Sequence, residues 1–263
     1  MIPSDRPDRP RCRPPSLPAI TYGADTRGSL EFPRDIDIHR RLSSYGRASR
    51  RLGAEQLEAL GHRLPRGPWT ADPDQCVYQR AGLTMRIGLL GTYDLAEQTW
   101  LWGWANPGLG GSAVVAPSER IAEFGRDNGV SELQNPGVEL SGFGDPRLAA
   151  ETLALVGMGV LGAPGYIGES AGPGVRVYFA PDDPQIQPAA LDPITMPRFL
   201  LTGAGVLQHS AHDVVIGYFA HHGVSVEAAA DRIHAHLPDG STAEITFDVL
   251  GRIAAINATA SRR

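Results

Sequence analysis

The chain has 263 residues, 42% of them hydrophobic and 20% charged, with a formal net charge of −5. That is enough chain for a sizeable core in one large domain or two small ones. An acidic total, with arginine as the sole basic side chain besides histidine, argues against a phosphate-binding surface, so nucleic acid is not an expected partner. Two cysteines, Cys12 and Cys76, are too few for a disulfide framework and fit a reducing compartment. No apolar run reaches about 18 residues, so no membrane span is expected. The first residues lack an apolar signal core, and the reading is a cytoplasmic protein.

Residues 1–33 are rich in proline and arginine and poor in residues to bury, which predicts a disordered tail. A helical period starts near Asp35, with Ile38, Leu42, Tyr45, Leu52 and Leu60 on one face, and Gly67-Pro68 closes it. Strands are predicted at 76–80 and 83–93, the second carrying Leu83, Met85, Ile87 and Leu89 on one side. After the turn D-L-A-E comes T-W-L-W-G-W-A-N (99–106), with three of the chain's four tryptophans. Alternation puts Trp100, Trp102 and Trp104 on one face. A four-residue loop would set Trp102 across from Leu89 and Trp104 across from Ile87, gathering these five side chains into one core. Gly103, on the other face, permits close approach by another element. A stacking receptor for sugars or bases is the competing reading, but only Leu, Gly and Ala intervene between the rings.

A short helix is predicted at 118–128, stopped by Asn128-Gly129. A longer one runs from the Asp145-Pro146 start to about Leu161. Two short strands span 164–180. The segment P-D-D-P-Q-I-Q-P (181–188) reads as a linker. Beyond it the pattern predicts a helix over 196–222 broken near Ser210, then strands at 232–237, 243–247 and 252–257, the first two joined by the turn P-D-G-S. The fold class is therefore α+β: antiparallel sheet units covered by helices, in a unit spanning 34–182 and a second spanning 183–263. A helix followed by antiparallel strands occurs in each half, and 74–80 and 231–237 are candidate counterparts of a pseudo-repeat.

L-G-T-Y-D (90–94) followed by T-W-L-W-G-W-A-N (99–106) resembles the signature of a bacterial domain family of unknown function. The helices after it and the Y-I-G…V-Y-F pattern at 166–179 are similar to that family too. The resemblance covers roughly residues 40–180. It implies a small α+β fold and lends no activity.

G-M-G-V-L-G (157–162) matches a dinucleotide fingerprint, but a helical segment precedes it and Ala163-Pro164-Gly165 follows. The fingerprint requires a strand before and a helix after, so no cofactor is expected. His209, His212, His221, His222, His234 and His236 crowd the last third of the chain. They lack an H-E-x-x-H or Cys–His spacing, and no nucleophile elbow, phosphate loop or Cys-x-x-Cys accompanies them. The leading expectation is a non-enzymatic interaction or chaperone-like module that binds a protein partner through an apolar patch on the C-terminal sheet or a helix–sheet groove. The first alternative is a hydrolase or metal-dependent enzyme in which at least three of those histidines converge. The second is a small-ligand carrier with a cavity between sheet and helices. The sequence leaves the oligomeric state open.

Overall fold

A computed structural model of the chain describes residues 46–206 and 210–259. The proline-rich segment 1–33, the positions Ile38, Leu42 and Tyr45, and His209 lie outside those residues. Helix α1 (Gly46–Arg63) sends Ala54, Leu57 and Leu60 into three different apolar clusters, and so touches both parts of the molecule.

The first part is a seven-stranded antiparallel sheet: β1 (Trp69–Asp72), β2 (Val77–Arg80), β3 (Leu83–Asp94), β4 (Thr99–Trp102), β5 (Gly137–Glu139), β6 (Ile167–Ser170) and β7 (Val175–Pro181). The spine is β3, which pairs with β2 near its start and with β7 and β4 further along. Its helices are α2 (Ala116–Asn128), the single turn α3 (Ser131–Gln134) and α4 (Pro146–Leu161). The start of α4 is set by Asp145, whose carboxylate accepts from the Leu148 N–H at 3.0 Å, satisfying one of the donors a helix start leaves free. Its end is set by Gly162 at φ 64°, a left-handed residue that suits glycine. G-M-G-V-L-G thus falls on the last turns of α4 and its cap, and Gly157 there packs beside Ile121 and the Trp102 ring: a Cβ would lie 3.0 Å from the first and 3.4 Å from the second.

The tryptophan hairpin departs from the expected register. Gly91 pairs with Trp102 and Tyr93 with Trp100, two residues away from the predicted match. A two-residue shift alone would keep the tryptophans on the face of Ile87 and Leu89. A register shift between Leu89 and Gly91 against β7 prevents that: Leu90 is the extra residue of a bulge, and the faces of β3 exchange across it. Ile87 and Leu89 are buried in one apolar cluster with Phe179. Trp100 and Trp102 are buried in the other, with Leu90, Tyr93 and Tyr178. The strand also stops at Trp102, so Trp104 sits half-buried in a 3₁₀ turn (Gly103–Ala105) against the same cluster. Gly91 is required beneath the rings, because a Cβ there would come within 2.6 Å of both the Leu101 carbonyl and the Trp100 indole.

The stretch 181–188 is not a free linker. The Arg86 N–H donates to Asp183 Oδ2 at 2.9 Å, the Gln185 amide donates to the Thr84 carbonyl at 2.6 Å, and Ile186 is buried in the Ile87–Leu89 cluster. After it come α5 (Met196–Val206) and α6 (Ala211–His221). They cover one face of a four-stranded antiparallel meander, β8 (Val226–Ala228), β9 (Arg232–His236), β10 (Thr242–Phe247) and β11 (Ile253–Thr259). Ile233, Ala235, Ala243 and Ile245 point into that core with Tyr218 and Phe219, as strict alternation requires. The two sheets differ in strand number, seven against four.

Candidate functional site

Three carboxylates are buried in the described residues, and each is met by a tyrosine hydroxyl and a basic side chain. Burying a charge without partners costs several kcal/mol, so these sets had to be completed by the fold. Glu151 interrupts the apolar run of α4. Its Oε2 accepts from Tyr166 Oη at 2.6 Å and its Oε1 from Tyr178 Oη at 3.1 Å, with Arg176 Nε 3.9 Å away. Glu169 on β6 accepts from Tyr78 Oη at 2.8 Å and from Arg80 at 2.6 Å. Burial pushes Tyr78, Tyr166 and Tyr178 above the usual phenol range, and the adjacent carboxylate adds to it.

The third set joins the two parts of the molecule. Glu55 on α1 accepts from Tyr218 Oη at 3.1 Å and from His222 Nε2 at 2.9 Å. Tyr218 and His222 stand four residues apart and so share one face of α6 and its cap; their rings lie 4.7 Å apart. The next residue of α1, Gln56, is oriented by its own carbonyl, which accepts from the Ala189 N–H at 2.7 Å. Its NH₂ end therefore faces His221 Nε2, 3.4 Å away. An amide NH₂ can only donate, so His221 Nε2 must accept, and the ring is neutral here.

Burial and then the neighbouring His222 hold His221 below the ordinary imidazole range, opposed by Glu55. Its contribution to stability is present above the unfolded value near pH 6.5 and is lost as the pH falls below it, because the unfolded chain then takes up the proton first. The charged and titratable groups facing it are Glu55 from α1 and His222 beside it. Acidification through that range is expected to lower the melting temperature of the α5–α6 unit, followed by far-ultraviolet circular dichroism. His221→Gln is expected to flatten that dependence; an unaltered slope would contradict the assignment.

The remaining histidines are elsewhere. His212 Nε2 lies 2.9 Å from the Ala229 carbonyl, with its ring against Phe247. His234 and His236 pack on each other, 4.9 Å between ring centres, on the sheet face opposite the helices. The five described histidines of the C-terminal set thus fall into three separate places, and among the described residues no three His, Cys, Asp or Glu side chains are gathered as a metal site. Glu55, Glu151 and Tyr218 were not anticipated as members of any site. A glutamate in the run L-A-A-E-T-L-A-L was the readable signal for one of them; the others depend on a contact between distant helices.

The outer surface carries a different feature. At the β10–β11 turn, Val249 and Leu250 are 102% and 72% exposed. The strand that follows, I-A-A-I-N-A-T, is an edge strand paired on one side with β10.

Fold and site together define an α+β protein of two helix-covered antiparallel sheets whose buried charges are engaged internally. The chain belongs to the family of unknown function DUF6882, whose model matches residues 43–184, a span that contains the tryptophan hairpin and all three buried carboxylates, Glu55, Glu151 and Glu169. No curated protein and no solved structure matches the chain. No helix among the described residues is long and apolar enough to cross a membrane.

Proposed function

We propose that the protein is a non-enzymatic cytoplasmic interaction module that takes an extended segment of a protein partner along strand β11. The observation that carries this reading is the strand itself: seven residues at a sheet edge, none of them charged, with five of them exposed. An edge strand offers a row of unused N–H and C=O groups, and proteins ordinarily blunt such edges with charge, proline or a covering element. Addition of a partner strand satisfies those groups. Val249 and Leu250 extend the same edge with apolar area that a partner would remove from water, the usual mark of an interaction site. The saturation of Glu55, Glu151 and Glu169 supports the same reading, since a general acid or base needs a group free to reach a substrate.

The double variant Val249→Asp/Leu250→Asp changes two side chains that touch no core, so its melting curve is expected to match that of the parent. The parent should hold a protein strand that slows amide exchange in β11, whether retained from cell extract on a resin or supplied by other copies of the chain, and the variant should hold it about tenfold less tightly. Equal retention by both chains, or β11 amides that exchange at one rate with and without bound protein, would refute the reading.

A further inference from the structure

We infer that the segment received by β11 is the β11 of a second copy of this chain, paired antiparallel about a two-fold axis at Ile256. This rests on the reading of β11 as the docking edge and names its occupant. The argument comes from comparing the sheet edges. The other strands that end a sheet are β1, β5, β6 and β8, of four, three, four and three residues. Each carries an acid: Asp72, Glu139, Glu169 and Glu227 respectively. A strand that meets its own copy sets like residues near like, so the acids of β1, β5 and β8 would repel themselves; Glu169 is held by Tyr78 and Arg80 instead, and its strand is only four residues long. The remaining edge, β11, is the longest, at seven residues, and has no charge to repel. A heterologous partner chosen by electrostatics would need charges on this edge to read; a self-pairing edge needs their absence.

The helix-facing side of β11 agrees. Ile253 and Ile256 sit opposite Phe247 and Ile245, which are buried, yet both isoleucines are only partly covered. Helix α5 lies against β11 and leaves Leu201 53% exposed. The apolar layer therefore continues past the last strand instead of closing over it. A two-fold at Ile256 would set Ile256 against its own counterpart, extend the four strands to eight, and cover that open margin. On the outer face it would set Ala255 of one copy against Asn257 of the other, a pair with no steric or charge conflict. Two-fold dimers in which one patch meets itself are the commonest assemblies of soluble chains.

The test uses the full chain. Sedimentation velocity of the parent is expected to give a species of 56.2 kDa, twice the 28.1 kDa of one chain. Ala255 is exposed, so Ala255→Glu and Ala255→Arg should each fold as the parent does and each dissociate more readily, by about tenfold in Kd. Mixing the two variants should restore the dimer, because opposite charges then meet across the axis; a merely misfolded variant would not be rescued. A parent chain that stays monomeric, while its β11 amides become protected on adding a different protein from extract, would overturn the second copy and leave the docking edge standing. A monomeric parent with β11 amides unprotected by anything added would overturn both. A dimer that both variants leave intact would overturn pairing through β11.

Discussion

Replacing Trp102 by alanine is expected to destabilise the first part of the molecule by about 3–5 kcal/mol, the range for emptying a large aromatic site in a close-packed interior. The ring is fully buried, packs edge-on against Trp100 with 5.1 Å between centres, and lies over Gly157 of α4. Its Nε1 also donates to the Glu132 carbonyl at 2.8 Å, tying the hairpin to α3. Trp100 is equally buried but its Nε1 has no hydrogen-bond partner. The phenylalanine variants should therefore separate the two rings. Trp102→Phe loses area and a hydrogen bond and is expected to cost about 2 kcal/mol. Trp100→Phe loses area but removes a buried donor that nothing accepts, and the two effects should leave a loss of about 1 kcal/mol or less. All four tryptophans lie at or before residue 104, so urea unfolding followed by indole fluorescence reads this part of the chain. Equal losses for the two phenylalanine variants would show that the Glu132 bond contributes nothing.

These rings also mark how far the sequence could be read. Alternation correctly separated Trp100 and Trp102 from Leu101, and the α+β class followed from periods of 3.6 and 2 along the chain. In the C-terminal sheet the division of Ile233, Ala235 and Leu237 from Arg232, His234 and His236 needed nothing beyond the strand period. What alternation could not supply was the bulge at Leu90. Gly88 and Gly91 mark a bulge or a close approach within the strand without saying which residue is extra, and one extra residue exchanges every later face of β3. Plain alternation therefore sets Ile87 and Leu89 with the tryptophans, whereas they belong to the other apolar cluster. The buried polar sets failed to show for another reason. Glu55 and Tyr218 are 163 positions apart, and nothing local to either residue encodes the meeting. Glu151 differs because its neighbours on α4 are apolar all round the helix; a charge at such a position must find partners. The open edge at β11 is half legible: an uncharged strand is plain in the sequence, but its place at the end of the sheet is not.

Raising the pH is expected to unfold the protein through its buried tyrosines before they titrate one by one. A phenol is neutral when protonated, so burial raises its folded value above the unfolded one near 10. Tyr166 and Tyr178 are raised by burial first and by the charge of Glu151 next. Tyr78 and Tyr218 are raised in the same way, with Glu169 and Glu55 as the carboxylates. The sign follows from proton counting. Above pH of about 10 the unfolded chain has released these protons and the native chain still holds them, so stability is complete below that value and falls as the pH rises further. Each such tyrosine withdraws about 1.4 kcal/mol per pH unit, so the pair around Glu151 withdraws about 2.7. Tyr78 and Tyr218 are likewise closed to water, and the four together withdraw about 5 kcal/mol per unit. A domain with a stability of about 5–15 kcal/mol would then unfold from roughly pH 11 upward. Tyrosinate absorbance from these residues should rise in one step with the loss of circular dichroism. Tyr178→Phe should reduce the alkaline slope by about 1.4 kcal/mol per unit. At neutral pH it leaves Glu151 the hydroxyl of Tyr166 at 2.6 Å and the guanidinium of Arg176 at 3.9 Å, so the variant should still fold. Tyrosinate that forms progressively near pH 10 in a chain whose dichroism is unchanged would mean that these hydroxyls are open to water, and the sets around Glu55, Glu151 and Glu169 would lose their standing as sealed interior pairs.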